Sequence, residues 1–398
     1  MSHDPRVEIE KLRGQLSSHD TPLAFLFGAG TSCCVDRATA PGEPLVPPVA
    51  GLTALCETAV SSLSASHAKA WADLSGDLKA RGLPVNVETV LSQFQMIIDA
   101  LPDGQSLLGL TKTELIAVTT TIRGTIGRAA HPSDADIPKT LPHDNFAGWV
   151  AGTTRRHPVE VFTTNYDILI ERALEAHRQP VFDGFVGSYR PFFHPASLSL
   201  RDVAPGVGWT RVWKIHGSIN WHWDSTNASR RIVRTEPADA GELILPSHYK
   251  YDESRKQPYL ALLDRLSRFL TQENAVLVTC GYSFGDQHIN SVLFDALDNH
   301  PRTHIFGLRY AEPGEEEELV RRALARPNFL IYGPATEVVD RRRDVWRLLH
   351  PVDDATAGLI DVAFDSDAQP EPDKPALTGR CRLGDFNFLA RFLASLLS

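Results

Sequence analysis

LAFLFGAGTSCC, residues 23–34, joins a five-residue apolar run to a glycine-rich turn. Leu23–Phe27 is short and wholly apolar, as expected of a strand buried on both faces. A strand, a glycine turn and then small residues form the usual start of a nucleotide-binding βα unit. Without side chains at Gly28 and Gly30, backbone N–H groups can approach a phosphate closely. The pattern stops short of a full GxGxxG: Cys33 stands at the third glycine, and no second strand with a terminal acid follows about 20 residues on. No Gly-Lys-Ser/Thr follows either, so it is not a Walker A loop. On its own the stretch reads equally well as a turn that needs small residues.

Outward from it, similar runs recur at Val159–Thr163, Arg211–Ile215, Ala275–Thr279, Thr303–Leu308 and Phe329–Tyr332. Helical patterns lie between several of them, including Asp167–His177 and Pro258–Thr271. Strands alternating with helices imply a mostly parallel, doubly wound sheet. The expected fold is therefore α/β and Rossmann-like, with a helical insertion and a C-terminal helical tail. The insertion spans 51–149, where Val87, Val90, Leu91, Phe94, Ile97 and Ile98 follow helical spacing behind an Asn86 cap. Residues 1–50 and 150–335 then form the sheet domain, and 336–398 a C-terminal extension. Residues 181–209, rich in Gly, Pro and aromatics, read as a long loop, and 365–379 as a linker. Behind the linker, Asp385 caps a helix whose Leu389, Phe392, Leu393, Leu396 and Leu397 share one face. That face needs a partner, either the body of the protein or another subunit. Glu315–Glu318 and Arg341–Arg343 read as solvated helix faces.

The 398 residues are 42% hydrophobic and 22% charged, ordinary for a soluble globular protein of this length. A net charge of −9 argues against a constitutive nucleic-acid coat, and no sequence-specific nucleic-acid binding is expected. No run approaches 18 apolar residues and the N-terminus lacks a signal peptide's apolar core, so the expected location is cytoplasmic, without membrane contact. The five cysteines form no CxxC pair, so no metal site and no zinc are expected, and Cys33 and Cys34 read as packing residues.

Four polar motifs follow directly from carboxyl ends of expected strands. They are the opening turn, FTTNYD (162–167), VWKIHGSINW (212–221) and CGYSFGDQHIN (280–290). Each has a bland reading: Asn165 as a turn former, Asp167 and Asp286 as helix caps, His216 as a structural histidine. In an open parallel sheet, however, that edge forms the ligand crevice. Four accidents would rarely coincide there.

In this order GAGTS, TTNYD, KIHGS and GYSFGD resemble the sirtuin (silent-information-regulator-like) superfamily, most closely its prokaryotic antiphage-defence branch, whose members hydrolyse NAD. The resemblance covers roughly residues 21–310, and residues 380–397 are similar to the tail of several members. It implies Asn165 and His216 as the catalytic pair. It also implies NAD contacts from Gly28, Ala29, Gly30, Thr31, Ser32, Thr164, Asp167, Gly281, Ser283 and Asp286. The chain departs from protein-deacylating sirtuins in lacking two CxxC pairs and a GIPDFR-like stretch after the first loop, where it reads APGEPLVPPVAGLTALC.

The function so implied is an NAD+ hydrolase that cuts the nicotinamide–ribose bond, with NAD+ as substrate, in NAD-depleting antiviral defence by abortive infection. Bond cleavage through an oxocarbenium-like state needs ribose orientation, solvent exclusion and a nucleophile at C1′. Asn165 can hydrogen-bond a ribose hydroxyl or a water, and His216 can accept a proton from either. The alternatives are an NAD-dependent deacylase, a dehydrogenase and a nucleotide-sensing module that controls an assembly. Since NAD loss kills the host, the resemblance further implies control by homo-oligomerisation or by a partner encoded nearby, such as a hexameric translocase-type ATPase. The helical insertion and the terminal helix are the expected self-association surfaces.

Overall fold

The computed structural model describes residues 3–198, 203–224, 231–237, 258–348, 354–366 and 378–397. A nine-stranded sheet runs through its centre. In chain order its strands are β1 (Leu23–Phe27), β2 (Glu160–Thr163), β3 (Val181–Phe182), β4 (Thr210–Lys214), β5 (Val276–Cys280), β6 (His304–Leu308), β7 (Phe329–Tyr332), β8 (Thr336–Val339) and β9 (Arg342–Val345). Their spatial order is β9-β8-β7-β6-β5-β1-β2-β4-β3. β3 to β7 pair in parallel through β1, and β8 and β9 add an antiparallel hairpin at one edge. The chain leaves β1 in both directions, so the topological switch point lies between β1 and β5, where such sheets open a crevice at their carboxyl ends.

Alternation along β1 sends Phe25 and Phe27 into one core and Ala24 and Leu26 into the other. The first core is covered by α1 (Pro5–Ser17), α6 (Pro142–Gly152), α7 (Leu169–Ala176), α11 (Asp354–Ala363) and α12 (Phe386–Ser395). The second is covered by α8 (Tyr259–Leu270), α9 (Gln287–Asn299) and α10 (Glu318–Ala325). Burial on both faces explains why the strands read as continuous apolar runs.

Between β1 and β2 the chain forms α2 (Val49–Ser61), α3 (Ala65–Ala80), α4 (Val87–Ala100) and α5 (Lys112–Ala129) around a core of their own. Asn86 caps α4 by accepting the Thr89 N–H at 2.9 Å, and Thr111 with Glu114 forms a capping box on α5. Tyr166 and Ile219, each within one of the polar motifs, join this helical core and tie it to the sheet edge.

Three expectations change. The stretch 181–209 is not a plain loop: its described part holds β3, two further two-residue strands and a 3-10 turn. Phe185–Val186 and Phe192–Phe193 join Arg231–Arg234 and Trp221–Asp224 in a four-stranded antiparallel sheet. Strands of two residues leave no periodicity to read. Arg341–Arg343 is not a helix face, because Asp340 and Arg341 turn through left-handed backbone conformations into β9. The terminal helix α12 finds its partner in the body of the protein. Phe386, Leu389, Phe392 and Leu393 are buried in the first core, and Phe386 meets Phe27 edge-on at 5.1 Å. Of the expected face, Leu396 and Leu397 lie past the end of the helix, and Leu397 remains exposed. Most of the expected linker, 367–377, lies outside the described residues; its flanks pair as a two-stranded ribbon. No helix among the described residues is long and apolar enough to cross a membrane.

Candidate active site

The opening turn becomes a single helical turn, Gly30–Cys33, directly above the switch point. Its glycines serve a backbone contact. A Cβ on Gly28 would lie 2.5 Å from the Gly281 carbonyl oxygen, and one on Gly30 would lie 2.5 Å from Gly281 Cα. Gly281 in turn adopts φ +65°, and a Cβ there would meet the Thr31 nitrogen at 2.6 Å. Three glycines from two motifs therefore let the loops after β1 and β5 touch along their backbones. The N–H groups of Gly28, Gly30, Thr31, Ser32 and Cys33 are spent on neighbouring carbonyls. Ala29 keeps an N–H without a partner among the described residues.

The loop after β2 locks onto this turn. Thr31 Oγ1 donates to the Gly28 carbonyl at 2.9 Å, and Ser32 Oγ donates to Asp167 Oδ2 at 2.8 Å. Each hydroxyl has only one proton to give, so each can only accept from Asn165. Asn165 Nδ2 supplies both bonds, at 3.0 and 2.8 Å. That fixes the amide: its NH₂ faces the turn, and its oxygen is what Asn165 offers to a ligand. Asp167 also accepts the Leu169 N–H at the start of α7, at 3.1 Å, so it is a helix cap as well as a strut for the turn. Lys214, almost fully buried in the strand before His216, donates to the Asp167 carbonyl and pairs with Glu171 at 3.3 Å.

His216 and Asp286 form the other half. His216 Nε2 lies 3.0 Å from Asp286 Oδ2, while Asp286 Oδ1 accepts the His288 and Ile289 N–H groups that open α9. One carboxylate thus caps a helix and orients an imidazole. Burial pulls the imidazole pKa down, but the hydrogen bond and charge of Asp286, helped by Glu88, outweigh it and leave it above the usual 6.5. Burial opposes ionisation of Asp286, yet His216 and the helix N–H groups bring its carboxyl down to about 2. With Nε2–H held by Asp286, the neutral ring keeps its lone pair on Nδ1.

Two cavities flank the turn. One, of about 470 Å³, lies over Gly30, Gly281, Ser283, Arg309, Gly384 and Asp385. It falls within the size range of cofactor pockets, roughly 300–1,000 Å³. The other, about 70 Å³, lies over Ala29, Ser32, Thr164, Asn165, Asp167 and Glu88. The expected residues divide between the two cavities and the backbone around them: Gly30, Gly281 and Ser283 line the larger, Ala29, Ser32, Thr164, Asn165 and Asp167 the smaller, and Gly28, Thr31, His216 and Asp286 line neither. Asp286 faces His216 and its helix.

Residues 159–330 match the family model of the SIR2-like domain. The chain carries a SIR2-like domain. The match supports a sirtuin-like reading of that stretch and an NAD-related function for it. No curated protein matches it. The SIR2-like stretch begins at β2, so it contains Asn165, His216 and the Gly281 loop but not the Gly28–Cys33 turn; the sheet brings that turn in by pairing β1 between β2 and β5.

Three contributors escape a motif-based reading. Lys214 sits inside KIHGS but shows its role only through the Asp167 carbonyl across the sheet edge. Glu88 comes from the insertion, and Asp385 from the tail. The only local signal for the last two is their position at the start of a capped helix. Cys34 packs against the core, while both Cys33 and Cys34 also line the larger cavity. Burial pushes both thiols up, and Cys34 accepts an Asn387 side-chain N–H on its carbonyl at 3.0 Å.

Proposed function

We propose that this chain hydrolyses NAD+ at the nicotinamide–ribose bond, releasing nicotinamide and ADP-ribose. The observation that carries the reading is the pairing, at one sheet edge, of an Asn165 amide oxygen fixed by Thr31 and Ser32 with a His216 imidazole fixed by Asp286. The adenosine half occupies the larger cavity, the pyrophosphate crosses the turn near the Ala29 N–H, and the nicotinamide half enters beside Asn165. The smaller chamber is tight, so α4 and α5 give way to admit the ring. Nicotinamide leaves neutral and needs no general acid. Asn165 accepts a hydrogen bond from the ribose hydroxyl or the attacking water, and His216 Nδ1 takes the proton.

Incubation with NAD+ alone, followed by chromatography, tests this. Nicotinamide and ADP-ribose should appear in equal amounts, and Asn165→Ala and His216→Ala should each slow the reaction by about 10²–10⁴-fold. Undiminished NAD+ consumption by both variants would overturn the assignment. Nicotinamide release that requires an acylated peptide would point instead to a deacylase. The same proposal includes a defence role, with activity restrained until self-association or a hexameric translocase-type ATPase triggers it. That part rests on the family resemblance. Mass measurement of the chain alone and with products of neighbouring genes, run beside the NAD+ assay, tests it.

A further inference from the structure

One lysine ties the loop that carries Asn165 to the strand that leads to His216. Lys214 ends β4 beside Thr163, the last residue of β2, and is only 2% exposed. Alternation places it on the same face of β4 as Val212, the face that α7 covers. From there its Nζ donates to the Asp167 carbonyl and lies 3.3 Å from Glu171 Oε1 on α7. His216 stands two residues after Lys214, and Asn165 two residues before Asp167.

A buried lysine needs a partner, and Glu171 supplies one. That pair staples α7 to the sheet, which is a structural task and does not require a second bond to the turn ahead of the helix. The second bond belongs to a chain of contacts that ends on Asn165. Lys214 holds the Asp167 carbonyl, the Leu169 N–H holds Oδ1 at 3.1 Å, and Ser32 holds Oδ2 at 2.8 Å. With the carboxylate so placed, the Ser32 proton is committed to Asp167, and Ser32 can only accept from Asn165 Nδ2. If Asp167 turns away, that proton is released, and a hydroxyl free to donate accommodates either end of the amide. Ser32 then no longer selects the end that meets a ligand.

We propose that Lys214 is a positioning residue for the Asn165 amide: by holding the Asp167 carbonyl it keeps Ser32 an acceptor, and so keeps the amide oxygen toward the ribose. The inference rests on the NAD-cleavage reading. Lys214 touches no reacting atom; it acts through Asp167 and Ser32, and it does so from the strand that delivers His216. The adenosine half lies in the other cavity, over Gly281 and Ser283, so the effect falls on the chemical step and not on binding.

The test uses the full chain with Lys214→Met, with Glu171→Gln, and with Lys214→Met and Glu171→Leu combined. Methionine keeps the apolar stem and removes the donor, whereas Glu171→Gln leaves the bond to Asp167 in place. Lys214→Met should lower kcat for nicotinamide release by about 10²-fold with KM little changed, and Glu171→Gln should keep kcat within about threefold. The double variant leaves neither member of the pair unpartnered, so it should recover the melting temperature lost in Lys214→Met but not the rate. A double variant that regains kcat along with stability overturns the inference, as does Lys214→Met with kcat within about threefold of wild type. Glu171→Gln as slow as Lys214→Met would overturn it too, because the staple alone would then set the rate. A further readout needs no turnover: hydrogen exchange of the Asn165 side-chain amide in protein labelled with ¹⁵N-asparagine. Its hydrogens meet the buried hydroxyls of Thr31 and Ser32. They should exchange about tenfold faster in the double variant, and equal rates overturn the inference. If wild type releases no nicotinamide at all, the hydrolase reading fails, and the exchange rates alone decide the place of Lys214.

Discussion

His216 and Asp286 are 70 residues apart in the chain and 3.0 Å apart in the fold, Nε2 to Oδ2. The pair couples the site to pH in a defined direction. The imidazole pKa is raised, so its base form appears only above 6.5, and kcat/KM for NAD+ should rise through a limb lying above that value. Asp286→Asn keeps the cap on α9, because asparagine caps as well as aspartate. It removes the charge, so the limb should move down and the maximal rate should fall. A pH–rate profile of both proteins checks this.

The same pair sets a stability window. His216, raised in the fold, contributes fully below 6.5 and loses its contribution as pH rises through its folded value. Asp286, lowered to about 2, contributes above 3.8 and loses its contribution as pH falls through 2. Their joint stabilisation is therefore greatest between 3.8 and 6.5. Melting curves of wild type and His216→Ala across that range should diverge most within it.

The glycine contacts predict position-specific damage. Gly30→Ala drives a methyl against the Gly281 backbone, and Gly281→Ala adds a strained φ. Each should cost about 1–3 kcal/mol by urea denaturation and abolish NAD+ binding. Gly14→Ala is the internal control: it lies mid-helix in α1 with nothing within 4 Å of its added carbon, and it should stabilise by up to about 1 kcal/mol.

Phe386 is buried between Phe27, His143 and Phe146. Phe386→Ala should cost about 3–5 kcal/mol. A chain ending before Leu383 should unfold rather than only dissociate, which near-UV circular dichroism would distinguish.

Glu337 is fully buried in β8, and burial, reinforced by Glu8, raises its carboxyl from 4.5 to about 9. A raised folded value means that stability is greatest below 4.5 and drains away as pH climbs toward 9. Glu337→Gln removes that dependence. Its melting temperature should exceed that of wild type at pH 8, with the gap closing toward pH 5.

Much of this architecture was legible because a buried parallel strand carries its signature within five residues. β1 and β7 appear where their apolar runs lie, and the other runs shift by a residue. Asn165 and His216 were legible as strand-end polar groups. Their partners were not, because hydrogen bonds between Asn165 and Ser32, or between Asp286 and His216, connect segments whose proximity only the sheet order creates. The glycines show the same limit. Read along the chain, Gly28 and Gly30 make room for a ligand; in space, that room is taken by Gly281. Glu88 and Asp385 belong to helices whose patterns were visible, but nothing local says that these helix starts face the crevice. β8, β9 and the paired two-residue strands Phe185–Val186 and Phe192–Phe193 escaped because a short strand, charged in β9, has no period to detect.

The contact between α12 and the opening turn has a temporal side. Cys34 leaves the ribosome 353 residues before Asn387, whose side chain holds its carbonyl. At about 5–20 residues per second that is roughly 20–70 s of synthesis. Throughout it, the turn that steadies Asn165 stands without its outer support, and Phe27 waits for Phe386. A nascent chain stalled between Asp286 and the tail therefore carries Asn165, His216 and Asp286 and still lacks the tail's support of the turn.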